Sequence, residues 1–308
     1  MHTSTPPDVG KPAPKPGGRG LTGVVRRHPL SAFFVLASGA SWLFWLPYIL
    51  SNDGLKVLDL DFPPFLGDAQ ILGVLPGAYV GPLGAALAVT LVTGGRAGLR
   101  AWRRRLFQVR VGWYWYPVVL LGVPALLIGG TFLVPGATED LRAPSAMVLA
   151  AYLPLLVLQV MTTGLAEEPG WRDFALPLMQ RRFGPAVGTL FLGLVWALWH
   201  LPLFFTGWSL AGTRPDAHWW ATIGVFTVMC VAISYLITWV FNHTKESLPV
   251  ALLLHASNNT VASIVLPEMF PDTDGAVMLS AGAIGYGIAA VALLAVTRGR
   301  LGYRGARD

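Results

Sequence analysis

Long apolar runs recur along most of this chain, and they limit what it can fold into. A helix needs ~20 residues to cross the ~30 Å hydrocarbon core of a bilayer. Runs of about that length lie at 30–50, 70–94, 114–135, 146–179, 184–206, 219–242, 248–267 and 276–297. Only 12% of the residues are charged, against roughly 25% in soluble domains. The sequence therefore predicts an all-α, polytopic membrane protein with about eight transmembrane helices.

The distribution of positive charge predicts the orientation of these helices. Lysine and arginine accumulate in the loops on the cytoplasmic side of a membrane. With eight spans and a cytoplasmic N-terminus, the cytoplasmic segments carry 18 of the 22 lysines and arginines, and the outer loops carry Lys56, Arg142 and Arg214. The pattern predicts an N-in, C-in topology. The net charge of +6 follows the ends of the spans, so it indicates contact with the lipid bilayer and no nucleic-acid partner.

Composition divides the chain into a membrane domain with two flanking tails. Residues 1–29 are rich in proline, glycine and basic residues and predict a disordered cytoplasmic tail, 30–297 form the transmembrane domain, and 298–308 form a basic cytoplasmic tail. Segment 96–110 is basic and amphipathic, which is typical of a helix lying on anionic lipid, although an ordinary cytoplasmic loop has similar composition. Arginine outnumbers lysine 18 to 4, which favours a multi-pass protein of a bacterial plasma membrane.

Two adjacent carboxylates and a guanidinium interrupt the fourth apolar run. Glu167, Glu168 and Arg172 follow the apolar residues at 150–165. Ionisable groups at this depth cost several kcal/mol each, so they are usually paired, turned inward and functional. On a helix, Glu168 and Arg172 are i, i+4 neighbours that can form an ion pair. Glu167 then points about 100° away and is free for chemistry; alternatively, both glutamates merely mark the end of a span.

Two further polar clusters lie in later apolar runs. His200 is late in the fifth span, and His255 is followed by Asn258 and Asn259 on the seventh. Residues three and four positions apart share a helix face, so one or both asparagines lie beside His255. A single embedded histidine is as well explained by a bond to a backbone carbonyl as by function. Polar clusters on three separate spans favour a shared site.

Helical rise tests whether these clusters can meet. The fourth and fifth spans form an antiparallel hairpin, which places Glu167 and His200 at a similar depth, about 25 Å from the turn. His255 fits less well, at about 12 Å from its own cytoplasmic turn. Helix tilt, or a break at Pro169-Gly170, would be needed to bring His255 level with the other two.

Together, the three clusters resemble the CAAX-protease and bacteriocin-processing (CPBP, or Abi) family of intramembrane endopeptidases. That family has Glu-Glu-x-x-x-Arg, Phe-x-x-x-His and His-x-x-x-Asn motifs on successive membrane helices. The corresponding residues here are Glu167-Glu168…Arg172, Trp196…His200 and His255…Asn259. The match covers about 160–260, the predicted catalytic core. Trp196 replaces the family's phenylalanine as another bulky aromatic residue, and no feature of the sequence carries CAAX specificity over.

The resemblance implies a hydrolytic mechanism acting on a membrane-associated peptide or protein. Glu167 would be the general base, His200 would position and polarise the water, and His255 and Asn259 would donate hydrogen bonds to the tetrahedral oxyanion. Glu168, Arg172, Trp196 and Asn258 would support the site. Since hydrolysis needs water at depth, a cavity opening to the cytoplasm is expected.

Three alternatives remain open. Glu167, His200 and His255 would make a two-histidine, one-carboxylate zinc set, as in a metalloprotease, although the metal-free mechanism is preferred and no His-Glu-x-x-His helix occurs. A transporter or bacteriocin-immunity-type protein would use the same residues as a proton relay or ligand site. A structural scaffold would tolerate substitution of Asn259.

Overall fold

The computed structural model describes residues 20–65 and 70–305, and the regular structure of this part of the chain is helical. We label its continuous helices in chain order. They are α1 Leu21–Arg27, α2 Pro29–Leu50, α3 Gln70–Leu106, α4 Trp115–Thr131, α5 Ala146–Phe183, α6 Pro185–Phe205, α7 Ala217–His243, α8 Leu248–Met269 and α9 Gly275–Thr297. The predicted N-terminal tail lies outside the described residues up to position 19, and part of its remainder forms α1.

Seven helices in the described residues, α2, α3 and α5–α9, are long and apolar enough to cross a membrane. The predicted all-α, polytopic membrane class is therefore confirmed, and each predicted apolar run coincides with a helix. Helix α4 is also apolar but has only 17 residues, about 26 Å at the helical rise. The eighth span therefore stays a prediction, as does the orientation of the bundle in the membrane.

Helix α3 bends at a glycine where its composition changes. Gly95 has φ 54° and ψ −147°, a conformation that glycine adopts readily and other residues rarely do. The basic part of α3 follows this bend and ends at Leu106. The predicted interfacial segment 96–110 is thus helical over most of its length, and its contact with lipid stays a prediction.

Proline does not break α5 at the motif. Pro169–Ala175 and Val160–Gly164 are π-helical, so α5 continues through Pro169 with wider turns. A π-turn accommodates a residue that cannot complete the α-helical hydrogen-bond ladder, and such turns are frequent at functional sites. Gly170 lies directly against α3: a Cβ there would be 2.6 Å from the carbonyl oxygen of Pro82. The motif is thereby fixed against α3 at close range.

Contacts between helices show which helix ends lie together. Ser41 of α2 donates to the carbonyl of Gly77 (2.8 Å), and Trp45 of α2 donates to the carbonyl of Val74 (2.7 Å), so α2 and α3 are antiparallel. The same alternation continues along the chain and gathers most positive charge at one end of the bundle. We call this the basic end; it carries Arg27, Arg104, Arg181, Arg182, Lys245 and Arg298. The opposite end, the loop end, carries 51–65, 132–145, 206–216 and 270–274.

Candidate active site

A cavity of ≈ 440 Å³ lies between the helices and collects the predicted site residues. Its lining includes Glu167 of α5, Trp196 and His200 of α6, and His255, Asn258 and Asn259 of α8. Glu168 and Arg172 do not line it and lie behind it in the protein interior, each with 0% of its side chain exposed. The structure therefore separates the two adjacent glutamates, one facing the cavity and the other facing the core.

Glu167 is held by an indole. Its Oε2 accepts a hydrogen bond of 2.8 Å from Nε1 of Trp196, and only 5% of Glu167 is exposed. The sequence had identified Trp196 only as a packing substitute for phenylalanine. Phenylalanine has no N–H group, so this contact depends on the residue at which the chain departs from the family motif.

Glu168 joins α5 to α8. Its Oε2 lies 3.3 Å from Nε of Arg172, the expected i, i+4 ion pair, and its Oε1 lies 2.9 Å from Nδ1 of His255. The depth mismatch inferred for His255 is therefore absent. The guanidinium carbon of Arg172 also lies 4.5 Å from the ring centroid of Trp196, so one buried cation supports both the carboxylate and the indole.

Hydrogen bonding assigns the protons of His200. Its Nδ1 lies 2.8 Å from the backbone carbonyl of Trp196. A carbonyl oxygen only accepts hydrogen bonds, so Nδ1 carries the hydrogen and Nε2 offers a lone pair to a molecule in the cavity. The ring stacks on Trp208, with an interplanar angle of 16° and centroids 5.5 Å apart, which fixes its orientation.

A chain of amide contacts holds the two asparagines. The hydroxyl of Tyr286 donates to Oδ1 of Asn258 (2.8 Å), and Nδ2 of Asn258 donates to Oδ1 of Asn259 (2.9 Å). Nδ2 of Asn259 donates in turn to Oγ1 of Thr163 (3.0 Å) and contacts Oε1 of Gln159 (3.4 Å). The Asn259 amide is thus aligned between α5 and α8 before any substrate is bound.

Sequence reasoning missed several of these supporting residues. Gln159, Thr163, Ser234 and Tyr286 are polar residues within apolar spans, and that was the available signal. Ser234 accepts from Nη2 of Arg172 at 3.5 Å. Because each is a single polar residue without motif spacing, only the packing of the helices identifies its partner.

The three side chains named for zinc share the cavity without forming a metal-binding group. Among residues 20–65 and 70–305, no three or more histidine, cysteine, aspartate or glutamate side chains are placed to hold a metal ion together. Nδ1 of His200 and Nδ1 of His255 are both hydrogen-bonded to protein atoms, so Nε2 is the ring nitrogen that each histidine can offer to a ligand. As placed, Glu167, His200 and His255 do not form one three-ligand group, and the zinc alternative stays a prediction.

The cavity extends from the motif residues toward the loop end. Its lining falls within 70–75 of α3, 158–167 of α5, 196–204 of α6, 222–233 of α7 and 255–263 of α8, together with Trp208, Leu210 and Leu279. On α5, α6 and α8, the lining residue nearest the basic end is Glu167, Trp196 and His255, respectively. The predicted N-in orientation and the predicted cytoplasmic opening are consequently incompatible, because positive charge and cavity lie toward opposite ends.

Comparison with known proteins agrees with the motifs. Residues 149–261 match the family model described as type II CAAX prenyl endopeptidase Rce1-like. The predicted family resemblance is confirmed. This Rce1-like region runs from α5 to α8 and contains Glu167, His200, His255 and Asn259.

A curated relative matches a larger part of the chain. CAAX prenyl protease 2 of Methanococcus maripaludis is 26% identical over 156 residues, which cover 49% of this chain and 57% of the relative. The alignment thus spans just over half of the relative's length. It extends the similarity beyond the Rce1-like region alone.

Proposed function

We propose that this protein is an intramembrane endopeptidase that hydrolyses peptide bonds of membrane-associated peptides or proteins. The observation that carries the proposal is that the two adjacent glutamates have different surroundings. Glu168 is occupied by Arg172 and His255, whereas Glu167 faces a cavity that also contains His200 and Asn259. The name of the archaeal relative, CAAX prenyl protease 2, supports the same reaction class.

Glu167 and His200 are proposed to activate a water molecule. Nε2 of His200 accepts a hydrogen bond from the water, since Nδ1 already carries the ring hydrogen. A carboxylate of Glu167 accepts the second water proton as general base, a role that contributes typically about 10²–10⁴-fold to rate. The indole of Trp196 keeps this carboxylate oriented toward the cavity.

His255 and Asn259 are proposed to stabilise the intermediate. As the water oxygen bonds to the carbonyl carbon, its proton passes to Glu167 and the carbonyl oxygen becomes negative. Nε2–H of His255 and Nδ2–H of Asn259 then donate to this oxygen, and the Asn259 amide exchanges its longer contact, the one to Gln159 at 3.4 Å, for the oxyanion. Each such donor is worth about 3–4 kcal/mol in comparable sites. The C–N bond breaks next, and Glu167 returns its proton to the amine that leaves.

The charge balance of the buried cluster supports a protonated His255. Two ionised glutamates and Arg172 together carry one net negative charge. A proton on Nε2 of His255 makes the cluster neutral, and burial favours paired, compensated charge over an excess. Glu168 thereby supplies the counter-charge that an imidazolium donor needs, without touching the substrate.

The proposed mechanism uses no metal. Water activation and oxyanion stabilisation are both assigned to side chains, and the arrangement of Glu167, His200 and His255 does not form a three-ligand group. In the zinc alternative, these three residues would be ligands and Glu168 the base. Glu168, however, does not line the cavity in which the water would be bound.

Comparison of cleaved membrane peptides tests the function. Cells producing the wild-type protein or Glu167→Gln are compared by mass spectrometry of new peptide termini. Glu139→Gln is the matched control, because Glu139 is exposed, lies in a loop and does not line the cavity. We expect termini that depend on Glu167 to fall about 10²–10⁴-fold in Glu167→Gln and to persist in Glu139→Gln.

The outcome also separates the transporter or immunity alternative. If Glu167→Gln leaves the set of peptide termini and the cellular phenotype unchanged, the protein is not a protease. For this comparison, Glu167→Gln must be present in the membrane in the same amount as the wild type. Its thermal unfolding temperature in detergent must also equal that of the wild type, which shows that the variant is folded.

A further inference from the structure

The basic end of the bundle is closed beneath the candidate site. Beyond Glu167, the interior is filled by buried or half-buried polar pairs and by large aromatic side chains. Arg105 pairs with Asp173, and Gln180 and Asn242 exchange two amide hydrogen bonds of 2.8 and 3.1 Å. Trp171 is fully buried and packs against the rings of Phe33 and Trp199. No lining residue of the cavity lies between Glu167 and the basic end of α5.

On the side of the site that faces the loop end, the cavity continues between the helices toward the surface. Going from Glu167 toward the loop end of α5, Thr163, Thr162, Gln159 and Leu158 follow along the cavity wall. Leu210, in the segment between α6 and α7, reaches the surface with 56% of its area exposed. A path from the surface to Glu167 therefore begins at the loop end.

Positive charge decides which end faces the cytoplasm. The loops at the basic end carry most of the arginines, whereas the segments at the loop end carry the acidic residues Asp53, Asp59, Asp61, Glu139, Asp140, Asp216, Asp272 and Asp274. Lysine and arginine in short loops are retained on the cytoplasmic side. The loop end, with the cavity, then faces away from the cytoplasm.

We infer that the candidate active site is entered from the extracytoplasmic side, and that its substrates are apolar peptide segments at the outer face of the membrane. This inference rests on the proposed function. Outside the site, the wall is mostly aliphatic or aromatic, including Trp199, Phe204, Trp208 and Phe226, and its other polar residues are uncharged: Gln70, Thr162, Thr222 and Ser263. Apart from the histidines, Glu167 is the one acidic or basic side chain in this lining among the described residues. Such a wall favours uncharged side chains. Cytosolic prenylated C-termini would not reach it.

Cysteine labelling of intact cells tests the direction of entry. Cys230, the single cysteine, is first replaced by alanine. Leu210→Cys then reports the loop end and Arg182→Cys the basic end, both at exposed positions. With a membrane-impermeant maleimide, we expect at least tenfold more labelling of Leu210→Cys than of Arg182→Cys, and equal labelling after permeabilisation. Any other ratio in intact cells overturns the inference.

The positions of cleavage separate this inference from the proposed function. Termini that depend on Glu167 should map to secreted peptides or to the outer ends of membrane spans. If they map to cytoplasmic ends, the protein is a protease but the inferred direction is wrong. If no termini depend on Glu167, the proposed function fails, while labelling still decides which end of the bundle faces outward.

Discussion

Toward the basic end of the bundle, buried polar side chains are paired with one another, whereas toward the loop end they line a cavity. The paired groups are Glu168, Arg172, Arg105, Asp173, Gln180, Asn242, Thr189 and Thr238. His255 lies at the boundary, because its Nδ1 bonds Glu168 while its side chain also lines the cavity. Pairing satisfies groups that would otherwise be costly in lipid and fixes the helices in register. The cavity side keeps polar groups available for a substrate, and the comparison indicates that the first region supports the second.

The boundary between the two regions falls within one peptide unit. Glu167 belongs to the cavity and Glu168 to the paired interior, because successive helical residues point about 100° apart. The predictions below test whether these regions have the separate roles that their contacts indicate.

Identical substitutions of the adjacent glutamates should give the largest contrast. Glu168→Gln leaves the buried Arg172 without a negative partner, so we expect the free energy of unfolding to fall by about 3–5 kcal/mol. Glu167→Gln should change it by less than about 1 kcal/mol, because the amide oxygen can still accept from Trp196. Unfolding is measured by denaturant titration in mild detergent. Equal losses for the two variants would remove the distinction between the regions.

Two asparagines should separate activity from stability. Asn259→Ala removes a proposed oxyanion donor, and we expect hydrolysis to fall by about 10²–10³-fold. Asn242→Ala removes the paired amide of the basic end, so it should lower stability while the turnover of the folded fraction stays unchanged. Turnover per folded molecule is the measurement. A tolerant Asn259→Ala variant would favour a structural scaffold.

A smaller effect is expected where the chain departs from the family motif. Trp196→Phe removes the N–H that orients Glu167. We expect kcat to fall about 10- to 150-fold with little change in KM, since a hydrogen bond to a charged group is worth about 1.5–3 kcal/mol. Trp219→Phe is the control, because Trp219 does not line the cavity and its indole donates to the backbone carbonyl of Phe204 and not to a proposed catalytic residue. An unchanged kcat for Trp196→Phe would show that Glu167 is oriented by other contacts.

Metal removal should have the smallest effect. If Glu167, His200 and His255 were ligands of a zinc ion, these polar groups of the cavity would be occupied by the metal. The difference between the paired groups of the basic end and the available groups of the cavity would then disappear. We expect less than about twofold loss of activity after dialysis against a chelator, and no stoichiometric metal in the purified protein. Activity that is lost on chelation and restored by zinc would overturn the metal-free mechanism.

The sequence alone predicted the helices and those contacts of the site that join residues on the same helix. Apolar length is a property of consecutive residues, so the runs locate the helices to within a few residues apart from the extension of α3 to Leu106. The Glu168–Arg172 pair is likewise local, because both residues lie on one helix turn. The motif order was sufficient to identify the family resemblance.

Only the tertiary structure decided how the helices meet. The bond between Glu168 and His255, the indole on Glu167 and the contact of Asn259 with Thr163 join residues 29 to 96 positions apart. Their register depends on packing and on π-turns, each of which rotates the following residues around the helix axis. The direction of the cavity was decided in the same way, because it follows from which side chains fill the interior at each depth and not from the length or polarity of any single run.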